Sequence, residues 1–319
     1  MKLSQCLRCA PAFAGVLVCA LLTGCATPQV ARLHEAELAR TVASRATIES
    51  VPFFAQKEYE CGPAALAMVL TAAGMAVTPD ALVDQVYLPV RKGSLQVEML
   101  AATRQRGLVA YPIKPALQDL LQEVAAGHPV LVFQNLSLPI YPVWHYAVVI
   151  AYDLERNTIT LHSGETERME MSLFTFERTW ARGNYWAMLA LTPDTLPATA
   201  DAGAYARSVA ALESSHPQTA RLAYAQALMR WPADANLQFG LGNSAYALHD
   251  LRGAAVAYRA ATEAQPEFAD AWNNLAQVQL EIGDKEAARA AIARAVVLGG
   301  PRLSLYQALQ SQLEAMAPE

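Results

Sequence analysis

The sequence predicts an α+β domain followed by an all-α repeat domain. Its 319 residues are too many for one small domain and suit two, and 54% hydrophobic with 17% charged residues is typical of a globular chain. Between residues 51 and 191, helical patterns come first and β-rich runs cluster late, an order that favours an α+β fold. After residues 193–203, which are rich in Pro, Thr, Ala and Asp, the composition turns to alanine and a repeat begins.

The N-terminus has the composition of a signal peptide. Residues 1–9 are short and basic, and residues 10–22 form an apolar run that is too short for a membrane-spanning helix, which needs about 20 residues. The sequence Leu-Thr-Gly-Cys that ends at Cys25 resembles the lipobox of bacterial lipoproteins. The resemblance implies a signal peptide over residues 1–24 and acyl chains on Cys25 as a membrane anchor. Because no aspartate follows Cys25, it also implies the outer membrane, facing the periplasm. An ordinary secretory signal beside an unrelated cysteine is the alternative.

The elements of the first domain, residues 50–192, follow from local patterns after a tether over residues 25–49. Pro63 in a first helical turn costs no hydrogen bond, Ser94 is a residue type that caps helices, and residues 153–157 between two β-rich runs are a hairpin signal. The predicted helices cover residues 62–73, 79–86, 94–106 and 116–126, and the predicted strands cover residues 108–113, 129–134, 146–152, 158–161 and 184–191.

The second domain, residues 204–316, follows a linker over residues 193–203 and repeats every 34 residues. The landmarks that this shift aligns are Pro232 with Pro266, Leu241 with Leu275, and Asp250 with Asp284. Small residues at helix crossings and a proline at the end of a unit make the pattern resemble tetratricopeptide repeats. Two units are expected over 233–266 and 267–300, with a degenerate unit before them and a closing helix over 303–316. The resemblance implies a protein partner; a generic alanine-rich bundle is the alternative.

Among the five cysteines, Cys61 is the candidate for a chemical role. The five cysteines lie at positions 6, 9, 19, 25 and 61, so only Cys61 stays a thiol once the signal peptide is removed and Cys25 is acylated. In a compartment that oxidises thiols, such a cysteine is either buried and inert or chemically used. The start of a helix favours its thiolate, which predicts a low pKa. Gln56 could place its side-chain amide beside the Cys61 N–H and complete an oxyanion hole.

A cysteine nucleophile needs a base, and His145 is the best candidate among six histidines. It opens a β-rich run behind Trp144, an aromatic side chain that would exclude water. His162 lies on the next predicted strand, and side chains of adjacent antiparallel strands contact each other, so a group near His162 could orient the His145 ring.

Two motifs together resemble the bacteriocin-processing cysteine peptidases. Gln-x₄-Cys-Gly-Pro-Ala begins at Gln56, and His-Tyr-x-Val-Val-x-x-Tyr-Asp begins at His145. That family consists of papain-like domains that cut leader peptides after a double glycine, and the likeness covers residues 50–191. It implies that Cys61 is the nucleophile, His145 the general base and Gln56 the oxyanion donor. Where the family has an aspartate, this chain has His162-Ser163-Gly164, so His162 is expected to orient His145, with Asp153 as the alternative.

Composition and motifs exclude several other functions. The chain has no Lys/Arg cluster and no phosphate-binding loop of the G-x-x-x-x-G-K type, so neither nucleic-acid binding nor nucleotide hydrolysis by that route is expected. No cofactor or metal is predicted. Family members usually sit on exporters that hydrolyse ATP, but neither a transporter nor a double-glycine leader is implied here.

The expected function is a membrane-anchored cysteine peptidase whose repeats recruit a peptide or protein substrate or partner. A first alternative is a non-catalytic peptide-binding adaptor lipoprotein, which the missing aspartate favours. A second is a Cys-His amidase or acyltransferase that acts on a non-peptide periplasmic substrate. The two domains are expected to be separable by proteolysis within residues 193–203.

Overall fold

The structure is a computed structural model that describes residues 27–33 and 42–316. The predicted signal peptide, Cys25 and His34 lie outside the described residues. An α+β domain built on a seven-stranded antiparallel sheet comes first, and a run of helices follows it. This architecture confirms the predicted fold class. In the described part of the chain, no helix is both long and apolar enough to cross a membrane.

The elements are numbered here in chain order. The α+β domain contains the helices α1 (Pro28–Leu33), α2 (Cys61–Ala72), α3 (Asp80–Val86), α4 (Gln96–Arg104), α5 (Leu117–Ala125) and α6 (Leu173–Arg182). Its strands are β1 (Arg45–Thr47), β2 (Val109–Pro112), β3 (Val130–Asn135), β4 (Trp144–Asp153), β5 (Thr158–Ser163), β6 (Thr166–Ser172) and β7 (Ala187–Leu191). The later helices are α7 (Ala202–Ala210), α8 (Pro217–Arg230), α9 (Ala235–Ala247), α10 (Leu251–Ala264), α11 (Ala269–Ile282), α12 (Lys285–Leu298) and α13 (Leu303–Ala315).

The sheet has the strand order β2-β7-β3-β4-β5-β6, and β1 pairs with the end of β4. Strands β3 and β4 read as apolar runs because they lie in the middle and are buried over most of their length. The predicted hairpin between β4 and β5 forms, with His162 opposite Val148. Its pairing shifts by one residue between Val149 and Ala151, which is a β-bulge.

Three elements of the α+β domain were not predicted. The edge strand β6 is polar and largely exposed, and β1 has only three residues, so neither shows the apolar pattern of a central strand. Helix α6 does carry a readable signal, because the Ser172 hydroxyl caps it by accepting a hydrogen bond from the Thr175 N–H. Its buried positions also have helical spacing: Leu173, Phe176, Glu177 and Trp180.

The predicted N-cap at Ser94 is wrong. Helix α4 begins at Gln96, behind an extended Leu95, and no side chain caps it. The Ser94 hydroxyl is buried and has no hydrogen-bond partner among the described residues.

The predicted tether is partly wrong, because its described portion packs against the domain. Val30 and Leu33 of α1 are buried, and the two carboxylate oxygens of buried Glu177 accept hydrogen bonds from the Gln29 and Val30 N–H groups at 2.9 and 2.7 Å. The Gln29 side chain donates to the Pro115 carbonyl. These contacts bring residues 27–33 into the fold.

The segment predicted as a linker, residues 193–203, is also docked. The buried Glu123 carboxylate accepts hydrogen bonds from the Ala198 and Thr199 N–H groups and from the Thr199 hydroxyl. Nδ1 of the neighbouring His128 lies 2.7 Å from Glu123 Oε2. Behind this segment, the Tyr205 ring lies 6.3 Å from that of Tyr111 in β2. The linker therefore joins the two parts in one packed structure.

The helices after residue 204 show the predicted 34-residue period. Asp250 and Asp284 each cap a helix by accepting a hydrogen bond from the N–H three residues later. In the turns before them, His249 has φ 58 and Gly283 has φ 95. A residue just after the preceding helix therefore adopts the left-handed conformation in both units. Small residues allow close crossings, since a Cβ on Gly242 would overlap the Tyr258 ring. The closing helix α13 also forms as predicted.

Candidate active site

Cys61 is the first residue of α2, and this helix packs against the central strand β4. Glu60 precedes it without a side-chain cap, so no side chain occupies the N–H groups of the first turn. The rest of the helix is apolar and buried from Gly62 to Leu70 and packs on β4. Burial of the helix thus fixes the position of Cys61, which is itself only partly exposed.

His145 is the second residue of β4 and lies opposite Gln134 of β3. Its Nε2 is 2.9 Å from the Ser163 hydroxyl oxygen. A ring nitrogen that donates to Ser163 leaves Nδ1 with a free lone pair, the form that a general base requires. Among the hydrogen bonds of the described residues, none joins His145 directly to Cys61.

Gln56 is held at two points beside these residues. Its backbone N–H donates to the Gly164 carbonyl at 3.1 Å, and its side-chain Nε2 donates to the Tyr146 carbonyl at 3.2 Å. Gly164 adopts φ 63, a left-handed conformation that glycine takes without strain. The amide therefore lies next to the strand residue that follows His145, with its second N–H available to another acceptor.

The predicted contact between His162 and His145 is wrong. His162 is buried, its Nε2 lies 3.2 Å from the Val51 carbonyl, and its Nδ1 accepts a hydrogen bond from the Arg168 N–H at 3.2 Å. Both ring nitrogens are thus used to hold two backbone segments on β5. Burial, as the largest cause, lowers the pKa of His162, so the ring is neutral at pH 7.

Asp153, the alternative orienting residue, is also remote from His145. It ends β4 and accepts a hydrogen bond from the Arg156 N–H in the hairpin turn. It lies eight positions along the extended strand from His145, a span of about 26 Å. Its role is to shape the turn.

Ser163 is the residue that sequence reasoning missed. It stands in the tripeptide where the family has its aspartate, but the orienting role was predicted for His162, one residue earlier. His162 pairs with Val148, three residues along β4 from His145, so the two histidine side chains face opposite sides of the sheet, whereas Ser163 faces the side of His145. The only indication of Ser163 in the sequence was its place in His162-Ser163-Gly164, at the position of the family's aspartate.

Cys61, His145 and Gln56 line one cavity of about 840 Å³. The other cavities described in the chain reach at most about 400 Å³. Aromatic and apolar side chains form part of its wall, including Phe133 and Trp144, whose rings stack at 5.1 Å. A concave, partly apolar cavity with a few convergent polar groups is the usual form of a ligand site.

Burial governs the charge state of the pair. It raises the pKa of the Cys61 thiol, and the hydrogen bonds from the Tyr146, Gly62 and Cys61 backbone only partly oppose it. Burial also lowers the pKa of His145 to about 4. The low pKa predicted for Cys61 from its helix position is therefore wrong in direction. At pH 7 the resting site holds a neutral thiol and a neutral imidazole.

The arrangement can perform acyl transfer. It brings together a sulfur nucleophile, a neutral base with an oriented ring, and amide donors beside the nucleophile, which are the parts that such chemistry needs. Within residues 27–33 and 42–316, no group of three or more His, Cys, Asp or Glu side chains could hold a metal ion.

Fold and site together define an α+β domain with a cysteine-histidine pair, joined to a helical repeat. Residues 48–188 match the family model described as Peptidase_C39 like family, and residues 239–302 match the tetratricopeptide repeat model. The α+β domain is therefore C39-like and the helical region tetratricopeptide-like, which confirms both resemblances. No curated protein matches the chain.

Several solved structures are similar to parts of the chain. A putative C39-like peptidase from Bacillus anthracis is 17% identical, covers 47% of this chain and 98% of its own, and has a TM-score of 0.40. A double glycine motif protease from an AMS/PCAT transporter, in complex with the leader peptide, is 20% identical with coverages of 47% and 98% and a TM-score of 0.35. The TPR2B domain of yeast Sti1 in a pHsp70 complex is 19% identical with coverages of 35% and 95% and a TM-score of 0.33.

Proposed function

We propose that the α+β domain is a cysteine peptidase that cleaves a peptide or protein substrate. The observation that carries the proposal is the convergence of Cys61, His145 and Gln56 in one cavity of about 840 Å³. The C39-like family match supports it independently of the geometry.

The reaction follows from the neutral resting pair. Cys61 Sγ attacks the scissile carbonyl carbon while its proton passes to His145 Nδ1, so no preformed thiolate is needed. The carbonyl oxygen becomes an oxyanion that the Gln56 amide and the Cys61 N–H stabilise. The imidazolium then protonates the leaving nitrogen, the amine departs, and a thioester remains. Water, deprotonated by His145, hydrolyses the thioester and releases the acid and the thiol.

Acylation by an activated ester tests this proposal without a known substrate. The parent protein should release one equivalent of leaving group per chain in a burst, with the acyl group on the Cys61 peptide by mass spectrometry. Cys61→Ala should abolish the burst, and His145→Ala should slow it about 10²- to 10⁴-fold, as expected for loss of a general base. A burst that persists in Cys61→Ala would overturn the proposal. If the burst depends on Cys61, cleavage of a peptide library distinguishes a peptidase from an amidase or acyltransferase that acts on non-peptide substrates.

A non-catalytic peptide-binding role is the second candidate, and Ser163 is the observation that favours it. A serine beside His145 brings no negative charge to stabilise the imidazolium that forms during attack. Absence of any burst, together with peptide binding in the same cavity, would favour this role.

We further propose that acyl chains on Cys25 anchor the protein in the outer membrane, facing the periplasm, and that the repeats bind a protein partner or substrate. The lipobox-like sequence supports the anchor. Because α1 begins at Pro28, only two residues would separate the anchor from the folded domain, which would then lie directly at the bilayer. Cys25→Ser should move the protein from the membrane to the soluble fraction; unchanged membrane association would contradict the anchor.

A further inference from the structure

One edge of the cavity is formed by a compact turn, residues 88–95, here called the basic turn. The Leu88 N–H donates to the Gly93 carbonyl at 2.9 Å, and the Arg91 N–H donates back to Leu88 at 3.0 Å. The Lys92 N–H donates to the Pro89 carbonyl, and Lys92 adopts φ 48. These bonds close the turn and hold Arg91 and Lys92 next to each other on the cavity.

The charges that line the cavity are all positive. They belong to Lys57, Arg91 and Lys92, and no carboxylate lines it among the described residues. The Asp80 carboxylate pairs with Lys57, whereas neither cation of the basic turn has a carboxylate partner in the described ranges. The Lys92 ammonium lies 5.1 Å from the centre of the Tyr59 ring. Two adjacent cations therefore remain available to an anionic group.

The basic turn also packs against the residue that follows the nucleophile. The Ser94 hydroxyl is buried without a partner, and it packs so closely on the Gly62 α-carbon that a Cβ there would overlap it. Gly62 directly follows Cys61 in α2. This contact holds the basic turn against the start of α2.

Apolar walls strengthen the effect of these charges. Trp144, stacked on Phe133, and Val143 line the same cavity and are each about half exposed. Low-dielectric walls weaken the screening of a charge by water and focus the field of the cations inside the cavity. The same walls offer contact area to apolar side chains of an extended chain.

We propose that this cavity selects peptides that carry an acidic side chain near the reacting bond, which Arg91 and Lys92 bind. This inference specifies the substrate of the proposed peptidase. It rests on that proposed function, because the reacting bond is the peptide bond that Cys61 attacks. Charge complementarity with Arg91 and Lys92 identifies the occupant as an acidic peptide segment.

Binding to a Cys61→Ser protein tests the selection without catalysis. The probes are three fluorescent decapeptide libraries that are identical except for one fixed Glu, Gln or Lys at the centre. The parent site should bind the Glu library about tenfold more tightly than the Gln library, equivalent to about 1.4 kcal/mol. Added salt should reduce that preference because the cations are exposed.

Variants of the basic turn provide the decisive comparison. Arg91→Gln with Lys92→Gln should reduce the Glu preference to within about twofold, and Arg91→Glu with Lys92→Glu should transfer it to the Lys library. The matched control, Arg252→Gln with Arg259→Gln, removes the same charge from an exposed face of α10 and should leave the preference unchanged. Equal binding of the three libraries, or no binding of any, would overturn the inference.

The outcomes separate this inference from the proposed function. A preference for Glu in a protein that forms no acyl-enzyme would contradict the peptidase proposal alone. Acylation and cleavage of peptides without a charge preference would contradict the inference alone.

Discussion

At the scale of single residues, Ser163 determines how well His145 can act as a base. A carboxylate only accepts hydrogen bonds and would hold the proton on Nε2, but a hydroxyl both donates and accepts. The 2.9 Å contact with Ser163 therefore allows either ring tautomer, and only one of them leaves Nδ1 free for the Cys61 proton. Burial without a compensating carboxylate accounts for the low pKa of His145, about 4.

Substitution of Ser163 should alter the acylation rate and its pH dependence. Ser163→Ala removes the acceptor for Nε2–H and should slow acylation about 10- to 100-fold, less than loss of a buried carboxylate. In the parent, the rate should rise with pH as His145 loses its proton near pH 4. Ser163→Asp places a negative charge beside the ring, so it should raise the pKa of His145 and move that acid limb towards neutral pH. Burst kinetics between pH 3 and 8 measure both effects.

His162 provides the control for this prediction, because it lies on the same strand and binds only backbone groups. His162→Ala removes hydrogen bonds to Val51 and Arg168 and should lower the free energy of unfolding by about 1–3 kcal/mol. The acylation rate of the folded protein should stay within about threefold of the parent. A larger loss of acylation in His162→Ala than in Ser163→Ala would return the orienting role to His162.

At the scale of elements, two buried carboxylates attach segments that look like loose connections. Glu177 accepts hydrogen bonds from α1, and Glu123 accepts them from residues 193–203. Burial tends to raise the pKa of Glu123, but hydrogen bonds from His128, Thr199 and Ala198 outweigh it and lower the pKa below its ordinary value of 4.5. The charged form of Glu123 thus favours docking. That contribution is complete above pH 4.5 and is lost as pH falls through the lowered pKa of the folded state.

Limited proteolysis should detect this attachment. At pH 7.5, proteinase K should leave residues 193–203 of the parent intact, whereas Glu123→Gln should be cut there because its amide cannot accept all of the same bonds. Cleavage of the segment in the parent by pepsin should increase progressively as pH falls below 4.5, because Glu123 is then protonated. The control Glu155→Gln changes an exposed side chain in the hairpin turn and should behave like the parent. Rapid cleavage of the parent at pH 7.5 would show that the segment is a free linker after all.

At the scale of the whole molecule, the boundaries of the hydrophobic cores differ from the boundaries of the domains. One continuous core runs from Val30 through the sheet to Leu237 in α9, so α7 and α8 pack as part of the C39-like domain. A second, smaller core begins at Ala245 and ends at Leu313. Helices α10 to α13 therefore form the part of the repeat region with a separate core.

Two buried tyrosines make this division testable. Tyr205→Ala in α7 should lower the stability of the sheet by about 3–5 kcal/mol, the usual cost of truncating a large buried aromatic side chain. Tyr306→Ala in α13 is equally buried but belongs to the second core. Hydrogen exchange at increasing urea concentration should show lost protection of β4 amides only in Tyr205→Ala, and lost protection of α12 and α13 in Tyr306→Ala. Unchanged β4 protection in Tyr205→Ala would contradict a shared core.

The sequence by itself determined the fold class, most of the elements and the 34-residue repeat, and it predicted that Cys61, His145 and Gln56 lie together, as they do in one cavity. These features depend on local patterns: apolar periodicity, turn residues, caps and the spacing of a short motif. Strands β6 and β1 were not predicted, because polar or very short strands have no such pattern.

Only the tertiary structure decided which residues that are distant in the sequence contact each other. The pairing register of β4 and β5 brings Ser163, and not His162, to His145, and neither strand specifies that register by its own sequence. Burial, which depends on every packed element, reverses the expected direction of the Cys61 pKa. The buried carboxylates Glu123 and Glu177 bind backbone groups about 75 and 148 residues away. Contacts of that range arise from the folded chain, because no local pattern specifies their partners.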